Sequence, residues 1–96
     1  MQVLITYDVS TETSAGKRRL RKVAQACLDF GQRVQKSVFE CAVNEMQYEA
    51  LTRQLVAIIN EKEDSLRVYR LAQPKEQFLK VYGIDTAIDF EEPLVL

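Results

Sequence analysis

The apolar residues of this chain switch repeatedly between the two-residue spacing of strands and the three-to-four-residue spacing of helices. This alternation constrains the fold more than any other feature of the sequence. It predicts, in order, a strand over residues 2–9, a helix over about 15–30, two strands within 33–43, a helix over about 44–60, a strand over 65–71 and a short strand within 84–96. The first strand is largely apolar at both parities, so we expect it to lie in the centre of a sheet.

The order strand, helix, strand, strand, helix, strand is typical of the split β-α-β, or ferredoxin-like, architecture. We therefore predict a single α+β domain over residues 1–96, with an antiparallel sheet, both helices on one face and an extra strand at the C-terminus. The other face of the sheet would expose apolar residues, either Leu4 and Phe39 or their opposite-parity neighbours. A homodimer would cover this face, with residues 73–96 in the interface and residues 88–96 crossing onto the partner's sheet.

Two predicted helix ends carry capping residues. Gly31 follows the first helix, where a left-handed residue often ends a helix. Asn44 precedes the second helix and Gln47 stands three residues later, which is the spacing of a capping box.

The chain contains no histidine. This excludes Ser-His-Asp and Cys-His catalysis and histidine-ligated zinc, so any enzymatic chemistry has to use carboxylates, arginines, hydroxyls or a metal that they hold. Cys27 and Cys41 are too few for a disulfide scaffold, and we expect both to be small core residues.

No apolar run approaches the roughly 20 residues of a membrane span, and no signal-peptide pattern precedes the first strand. We therefore expect a cytoplasmic protein without membrane contact.

The net charge of −1 conceals an uneven distribution. Residues 1–43 contain seven Lys and Arg against four Asp and Glu, a net charge of +3, and residues 44–96 carry −4. Most of the positive charge lies on the first helix, at Lys17, Arg18, Arg19, Arg21 and Lys22, with Arg33 and Lys36 further on. The ordinary interpretation of such a run is a solvated helix face. The alternative is a basic surface that binds phosphates.

Asp8 is the sharpest candidate for chemistry, because it ends the first strand beside a hydroxyl-rich loop. Its carboxylate could bind Mg²⁺ or Mn²⁺, which prefer oxygen ligands and keep several waters. One carboxylate per chain is a poor site, but two Asp8 side chains could share an ion across the axis of a dimer. The structural alternative is that Asp8 caps the following turn. Ser10 and Ser37 could donate to phosphate oxygens, and Phe39 fits the core better than a base-stacking platform.

Tyr-Asp-Val-Ser at 7–10, Gly16 with Arg18 and Arg21, Arg-Val-Gln-Lys-Ser-Val-Phe-Glu-Cys at 33–41 and Leu-Arg-Val-Tyr-Arg-Leu at 66–71 together carry a family resemblance. They resemble the CRISPR-associated "Cas two" family, the small adaptation nucleases that accompany the "Cas one" integrase. The resemblance spans essentially the whole chain, and the block at 33–41 is its most specific part. The ending at 88–93 resembles the subgroup found with type I-C systems.

The resemblance implies a homodimer with Mg²⁺-dependent endonuclease activity on double-stranded DNA or single-stranded RNA, in which Asp8 is the catalytic residue and metal ligand. Residue chemistry and resemblance together give a candidate nucleic-acid-binding set of Tyr7, Ser10, Arg18, Arg21, Lys22, Arg33, Ser37 and Phe39. The resemblance also implies a non-catalytic role, in which the dimer bridges two "Cas one" integrase dimers and holds DNA on its basic surface.

Three functions are therefore open at this point. The leading hypothesis is a metal-dependent phosphodiesterase that also binds DNA in CRISPR adaptation. The alternative is a DNA-binding scaffold in which Asp8 has only a structural role. An acylphosphatase-like enzyme is disfavoured, because that family places an arginine in the loop after the first strand and residues 10–16 contain none.

Overall fold

The computed structural model describes residues 1–84 of the chain. Its elements, in order, are β1 (Gln2–Asp8), α1 (Ser14–Leu28), β2 (Gly31–Gln35), β3 (Val38–Ala42), α2 (Glu45–Ile58), β4 (Ser65–Leu71) and α3 (Lys75–Phe78). Within residues 1–84 the strands form one antiparallel sheet in the order β2-β3-β1-β4. This confirms the predicted ferredoxin-like architecture. The C-terminal strand predicted within 84–96 lies outside the described residues.

One face of the sheet forms the floor of the hydrophobic core. In the register of β1 with β3, Val3 lies opposite Cys41 and Ile5 lies opposite Phe39. On the other side of β1, Val68 of β4 lies opposite Ile5. Val3, Ile5, Phe39 and Cys41 are at most 1% exposed, and burial of each large apolar side chain contributes about 1.5–3 kcal/mol. Pairing on both edges makes β1 a central strand, as predicted.

Both long helices pack on this same face. Val23 and Cys27 of α1 and Leu51 and Leu55 of α2 belong to the core cluster that contains Phe39. Each helix therefore buries one apolar stripe and leaves its polar side chains in solvent. None of the helices in the described part of the chain is long and apolar enough to cross a membrane.

The opposite face of the sheet is covered by neither α1 nor α2, and we call it the open face. Leu4 and Thr6 of β1 lie on it, beside Tyr69 and Arg67 of β4, respectively. Leu4 and Thr6 are half-buried, and Tyr69 is exposed. The apolar residues predicted on this face are therefore present. The dimer that would cover them stays a prediction.

The helix ends confirm one predicted cap and correct the other. In the capping box of α2, Gln47 N donates to Asn44 Oδ1 at 2.8 Å and Asn44 N donates to Gln47 Oε1 at 2.9 Å. The left-handed cap predicted at Gly31 is wrong, because α1 ends at Leu28 with Asp29 as its C-cap, and Gly31 begins β2 without a positive φ. A Cβ on Gly31 would lie 2.3 Å from the carbonyl oxygen of Glu40. Glycine is required there by the close approach of β3.

The two cysteines are free and fully buried, as predicted. Burial raises the pKa of Cys27 to about 12 and that of Cys41 to about 11. Because the thiolate is the reactive form of cysteine, both side chains act as small hydrophobic core residues in the folded chain.

Candidate functional site

Asp8 is the last residue of β1 and lies opposite Ser65 of β4. It shares its parity with Leu4 and Thr6, so it belongs to the open face of the sheet. The residue is exposed, and no hydrogen bond or ion pair within residues 1–84 reaches its carboxylate. The turn-capping alternative for Asp8 is therefore wrong. Its two oxygens are available to a ligand.

A single protomer supplies few oxygen ligands for a metal near Asp8. Within residues 1–84 no group of three or more Cys, Asp or Glu side chains is arranged to hold an ion. Mg²⁺ is commonly held by one or two carboxylates and keeps several waters, so it does not need such a group. An exposed carboxylate without protein partners, matched by the same carboxylate of a second copy, fits this requirement.

The segment that follows Asp8 is held by a second aspartate, which sequence reasoning missed. Asp64 lies just before β4, and its side chain is inaccessible to solvent. Its Oδ1 accepts from the backbone N–H of Ser10 at 3.0 Å, and its Oδ2 accepts from Arg19 Nε and Asn60 N, each at 2.8 Å. Burial alone would raise the pKa of Asp64, but the hydrogen bonds from Arg19, Asn60 and Ser10 outweigh burial and lower it.

Four of the five basic residues predicted to form a positive surface on α1 do so, and Arg19 does not. Lys17, Arg18, Arg21 and Lys22 are all exposed, and none of them forms an ion pair within the described residues. Arg19 instead turns toward the connection between α2 and β4, where it bonds Asp64 and also Glu63, at 3.0 Å. Four nearby cations therefore remain free to bind an anion such as a phosphate.

Two aromatic residues of the candidate set lie in the core. Phe39 is completely buried, and Tyr7 is only 6% exposed. Their rings stack with centroids 6.1 Å apart, and the guanidinium carbon of Arg33 lies 5.1 Å from the centroid of Phe39. Assigning Tyr7 and Phe39 to direct contact with nucleic acid is therefore wrong, because neither ring is accessible to a base. The core interpretation of Phe39 is confirmed.

Arg33 is half-buried between this aromatic pair and solvent. Its Nε is buried and has no hydrogen-bond partner within residues 1–84. Burial, with a smaller contribution from Cys27, raises the pKa of Tyr7, and the charge of Arg33 acts in the opposite direction. The contact of Arg33 with nucleic acid stays a prediction.

The two candidate serines lie at the same end of the sheet as Asp8. Ser37 is in the turn between β2 and β3, and its carbonyl oxygen accepts from the backbone N–H of Tyr7 at 3.1 Å. Ser10 follows β1 and is held by Asp64. Asp8 is thus flanked along the chain by Tyr7, whose backbone contacts Ser37, and by the segment that contains Ser10. The cations of α1 lie on the helix-covered side of the sheet, whereas Asp8 lies on the open face.

Comparison with known proteins gives concordant matches. The sequence model of the family described as "CRISPR associated protein Cas2" matches residues 1–78. The "CRISPR-associated endoribonuclease Cas2 1" of Moorella thermoacetica is 65% identical over 96 residues, which is 100% of both chains. The "CRISPR-associated endonuclease Cas2" of Halalkalibacterium halodurans is 50% identical over 95 residues, 99% of each chain. The crystal structure of Streptococcus pyogenes Cas2 at pH 6.5 superposes with a TM-score of 0.76 at 49% identity, covering 86% of this chain and 100% of that one.

Proposed function

The chain belongs to the CRISPR-associated Cas2 family, and we propose that it is a metal-dependent endonuclease of CRISPR adaptation. The proposed substrates are the phosphodiester bonds of double-stranded DNA or single-stranded RNA. The relatives from Moorella thermoacetica and Halalkalibacterium halodurans are named endoribonuclease and endonuclease, respectively, which supports a nuclease without choosing between the substrates.

The observation that carries the proposal is the state of Asp8. It is an exposed carboxylate at the end of the central strand, and no protein group within residues 1–84 bonds to it. A carboxylate that a sheet strand presents to solvent, with none of its oxygens used by the fold, is available to bind a ligand. With no histidine in the chain, a carboxylate-held metal is the most direct route to phosphodiester hydrolysis.

Asp8 is the residue that would hold Mg²⁺ or Mn²⁺, together with Asp8 of a second copy. When bound, such an ion polarises a phosphoryl oxygen and lowers the pKa of a coordinated water. The protein's own contribution is to present the two carboxylates from fixed strand ends. The open face, with half-buried Leu4 and exposed Tyr69, is the surface that we propose for the homodimer.

The cations of α1 that the fold leaves free are proposed to bind the nucleic-acid backbone. Lys17, Arg18, Arg21 and Lys22 present four positive charges on one helix. Because they would contact phosphates rather than base edges, binding should be independent of sequence and weaken steeply with salt. We also propose that the hydroxyls of Ser10 and Ser37, at the same end of the sheet as Asp8, donate to phosphate oxygens.

A second candidate function is a non-catalytic scaffold that bridges "Cas one" integrase dimers on DNA. One observation favours it: the cations of α1 and the carboxylate of Asp8 belong to opposite sides of the sheet. A basic surface separated from the candidate catalytic residue can hold DNA without cutting it. The subgroup found with type I-C systems rests on residues 88–93 and stays a prediction.

Asp8→Asn separates the two functions, and Glu12→Gln is a matched control because Glu12 is another exposed acidic residue in the segment after β1. Both variants and the wild type are assayed on double-stranded DNA and single-stranded RNA, with Mg²⁺ and with chelator. For a nuclease, Asp8→Asn and chelator each abolish cleavage, and Glu12→Gln cleaves like the wild type. Unchanged DNA binding without metal-dependent cleavage by any of the three proteins would favour the scaffold.

A further inference from the structure

We propose that Asp64 is a positioning residue for Asp8: it holds the backbone of Ser10, two residues further along the chain, and so fixes where the Asp8 carboxylate stands. This inference rests on the proposed function, because it assigns Asp64 to the same site. Asp64 does not reach the reacting groups itself. It acts through the peptide backbone that follows β1.

The first observation is that the Asp64 carboxylate is fully used. It accepts four hydrogen bonds from three residues: one each from Ser10 N and Asn60 N, and two from Arg19, through Nε and, at 3.4 Å, through Nη2. None of its side-chain surface is accessible to solvent. The turn that carries it is closed by Glu63 N and Asp64 N, which both donate to the carbonyl oxygen of Asn60, at 3.0 and 2.7 Å. Asp64 is therefore a fixed acceptor, and it fixes the N–H of Ser10 in turn.

The second observation does not involve charge, and it concerns the carbonyl group of Ser10. A Cβ on Gly16 would lie 2.0 Å from the carbonyl oxygen of Ser10, so the first turn of α1 approaches this carbonyl as closely as only glycine permits. Ser10 is thus held at its N–H by Asp64 and against its carbonyl by α1. We call these two contacts the Ser10 clamp.

We expect the Ser10 clamp to affect the position of Asp8, because Asp8 is the residue at which the strand pairing of β1 ends. On its N-terminal side, β1 is paired with both neighbours, and Thr6 lies opposite Val38 and Arg67. At Asp8 the pairing with β3 has ended, and Ser65 of β4 is the remaining partner. A carboxylate that meets its copy around a Mg²⁺ ion has to hold oxygen–metal distances of about 2.0–2.1 Å, so small backbone shifts are costly.

Four variants test the proposal, with Mn²⁺ as the probe and its binding followed by electron paramagnetic resonance. Asp64→Asn weakens the bond to Ser10. Gly16→Ala displaces the Ser10 carbonyl and leaves every charge in place. Glu63→Gln is the matched control, because it removes a neighbouring negative charge that contacts Arg19 but not Ser10. Asp8→Asn is the reference for removal of the metal ligand itself.

We expect Asp64→Asn and Gly16→Ala each to weaken Mn²⁺ binding by about 10- to 100-fold, the range found for groups that orient metal ligands. Glu63→Gln should bind Mn²⁺ like the wild type, which shows that removal of a negative charge is not the cause. Equal weakening by Glu63→Gln and Asp64→Asn, or wild-type binding in both Asp64→Asn and Gly16→Ala, would overturn the proposal.

Hydrogen exchange at the Ser10 amide reports the clamp separately from metal binding and cleavage. Asp64→Asn should accelerate this exchange while the amides of β1 keep their protection, and Glu63→Gln should leave it unchanged. A Ser10 amide that exchanges equally fast in the wild type and in Asp64→Asn contradicts the clamp itself. If the wild type neither binds Mn²⁺ nor cleaves, the proposed function fails and so does the role of Asp64 in the site, even where Ser10 exchange responds as expected.

Discussion

Two aspartates at the same end of the sheet differ in the exposure of their side chains and in the hydrogen bonds that they accept. Asp8 is exposed and has no bonding partner within residues 1–84, whereas the side chain of Asp64 is inaccessible and accepts hydrogen bonds from three groups. They are close in the fold, because Asp8 pairs with Ser65, the residue after Asp64. The contrast separates two uses of one side chain. The fold engages the charge of Asp64 in its own hydrogen bonds and leaves that of Asp8 without a partner within residues 1–84.

The same division holds for the arginines of α1. Arg19 is bonded to Asp64 and Glu63, and its side chain is 16% exposed. Its neighbours Arg18 and Arg21 are without an ion pair in the part of the chain that the structure describes. The identity of a residue therefore does not reveal its role on this helix. The role of each arginine follows from whether its guanidinium is already bonded to another group of the folded chain.

The largest expected effect is on stability, and it falls on Asp64. Asp64→Ala leaves the N–H groups of Ser10 and Asn60 without their acceptor, and we expect it to lower the free energy of unfolding by about 2 kcal/mol. Asp8→Ala removes an exposed side chain without partners, and we expect a change within about 0.5 kcal/mol. Urea denaturation at pH 7 measures both. Equal losses in the two variants would remove the distinction between these aspartates.

The second effect is on nucleic-acid binding. Each phosphate that the protein neutralises on duplex DNA contributes about 0.9 to the slope of log affinity against log salt concentration. Replacing Arg18, Arg21 and Lys22 together by glutamine should therefore flatten this slope by up to about 2.7. Arg19→Gln should leave the slope unchanged, because that side chain is bound to Asp64 and Glu63.

Fluorescence anisotropy with two unrelated duplexes of equal length measures these slopes. The two duplexes should give the same slope for each protein, because phosphates rather than bases are contacted. A slope that Arg19→Gln alone reduces would contradict the division within α1.

A smaller effect is the pH dependence of stability. Folding holds the pKa of Asp64 below its ordinary value of 3.8, so the ionised form stabilises the fold above that value, and this contribution is lost as the pH falls through the lowered pKa. The stability difference between the wild type and Asp64→Asn should therefore be constant above about pH 5 and shrink toward pH 3. Thermal unfolding at a series of pH values measures it.

The smallest effect is the reactivity of the thiols. Because burial raises the pKa of Cys27 to about 12 and that of Cys41 to about 11, neither should react with Ellman's reagent at pH 8 in the folded protein. Both should react fully after denaturation in guanidinium chloride. Rapid reaction of one thiol in the native protein would show that the core around it opens readily.

Much of the fold can be predicted, because local patterns set it. The strand predicted over 65–71 matches β4, and the capping box of Asn44 and Gln47 marks the start of α2. The interpretation of Gly31 is wrong, because a glycine after a helix has two possible causes. It can be required by a positive φ at a helix cap, or by the close approach of another strand, and the local sequence looks the same in both cases. That approach is a tertiary contact with Glu40 and Cys41, and no local pattern records it.

The candidate site is predictable at Asp8 and not at Asp64. Asp8 is distinguished by its place at the end of an apolar strand, which the sequence displays. Asp64 ends the charged run at 61–64, which has the composition of a solvated connection. Its burial depends on Arg19, 45 residues away, and on Ser10, 54 residues away. The remaining signal, an aspartate directly before a strand, is too common to assign a role.

The central claim is that the Asp8 carboxylates of two chains together form one metal site. The number of Mn²⁺ ions bound per chain tests this claim most directly. Isothermal titration of the purified wild type should give one ion for every two chains. Mixed dimers with a single Asp8→Asn chain should lose far more than half of the binding and of the cleavage, because each of them has a broken site. One ion per chain, or activity that falls only in proportion to the mutant fraction, would contradict the shared site at Asp8.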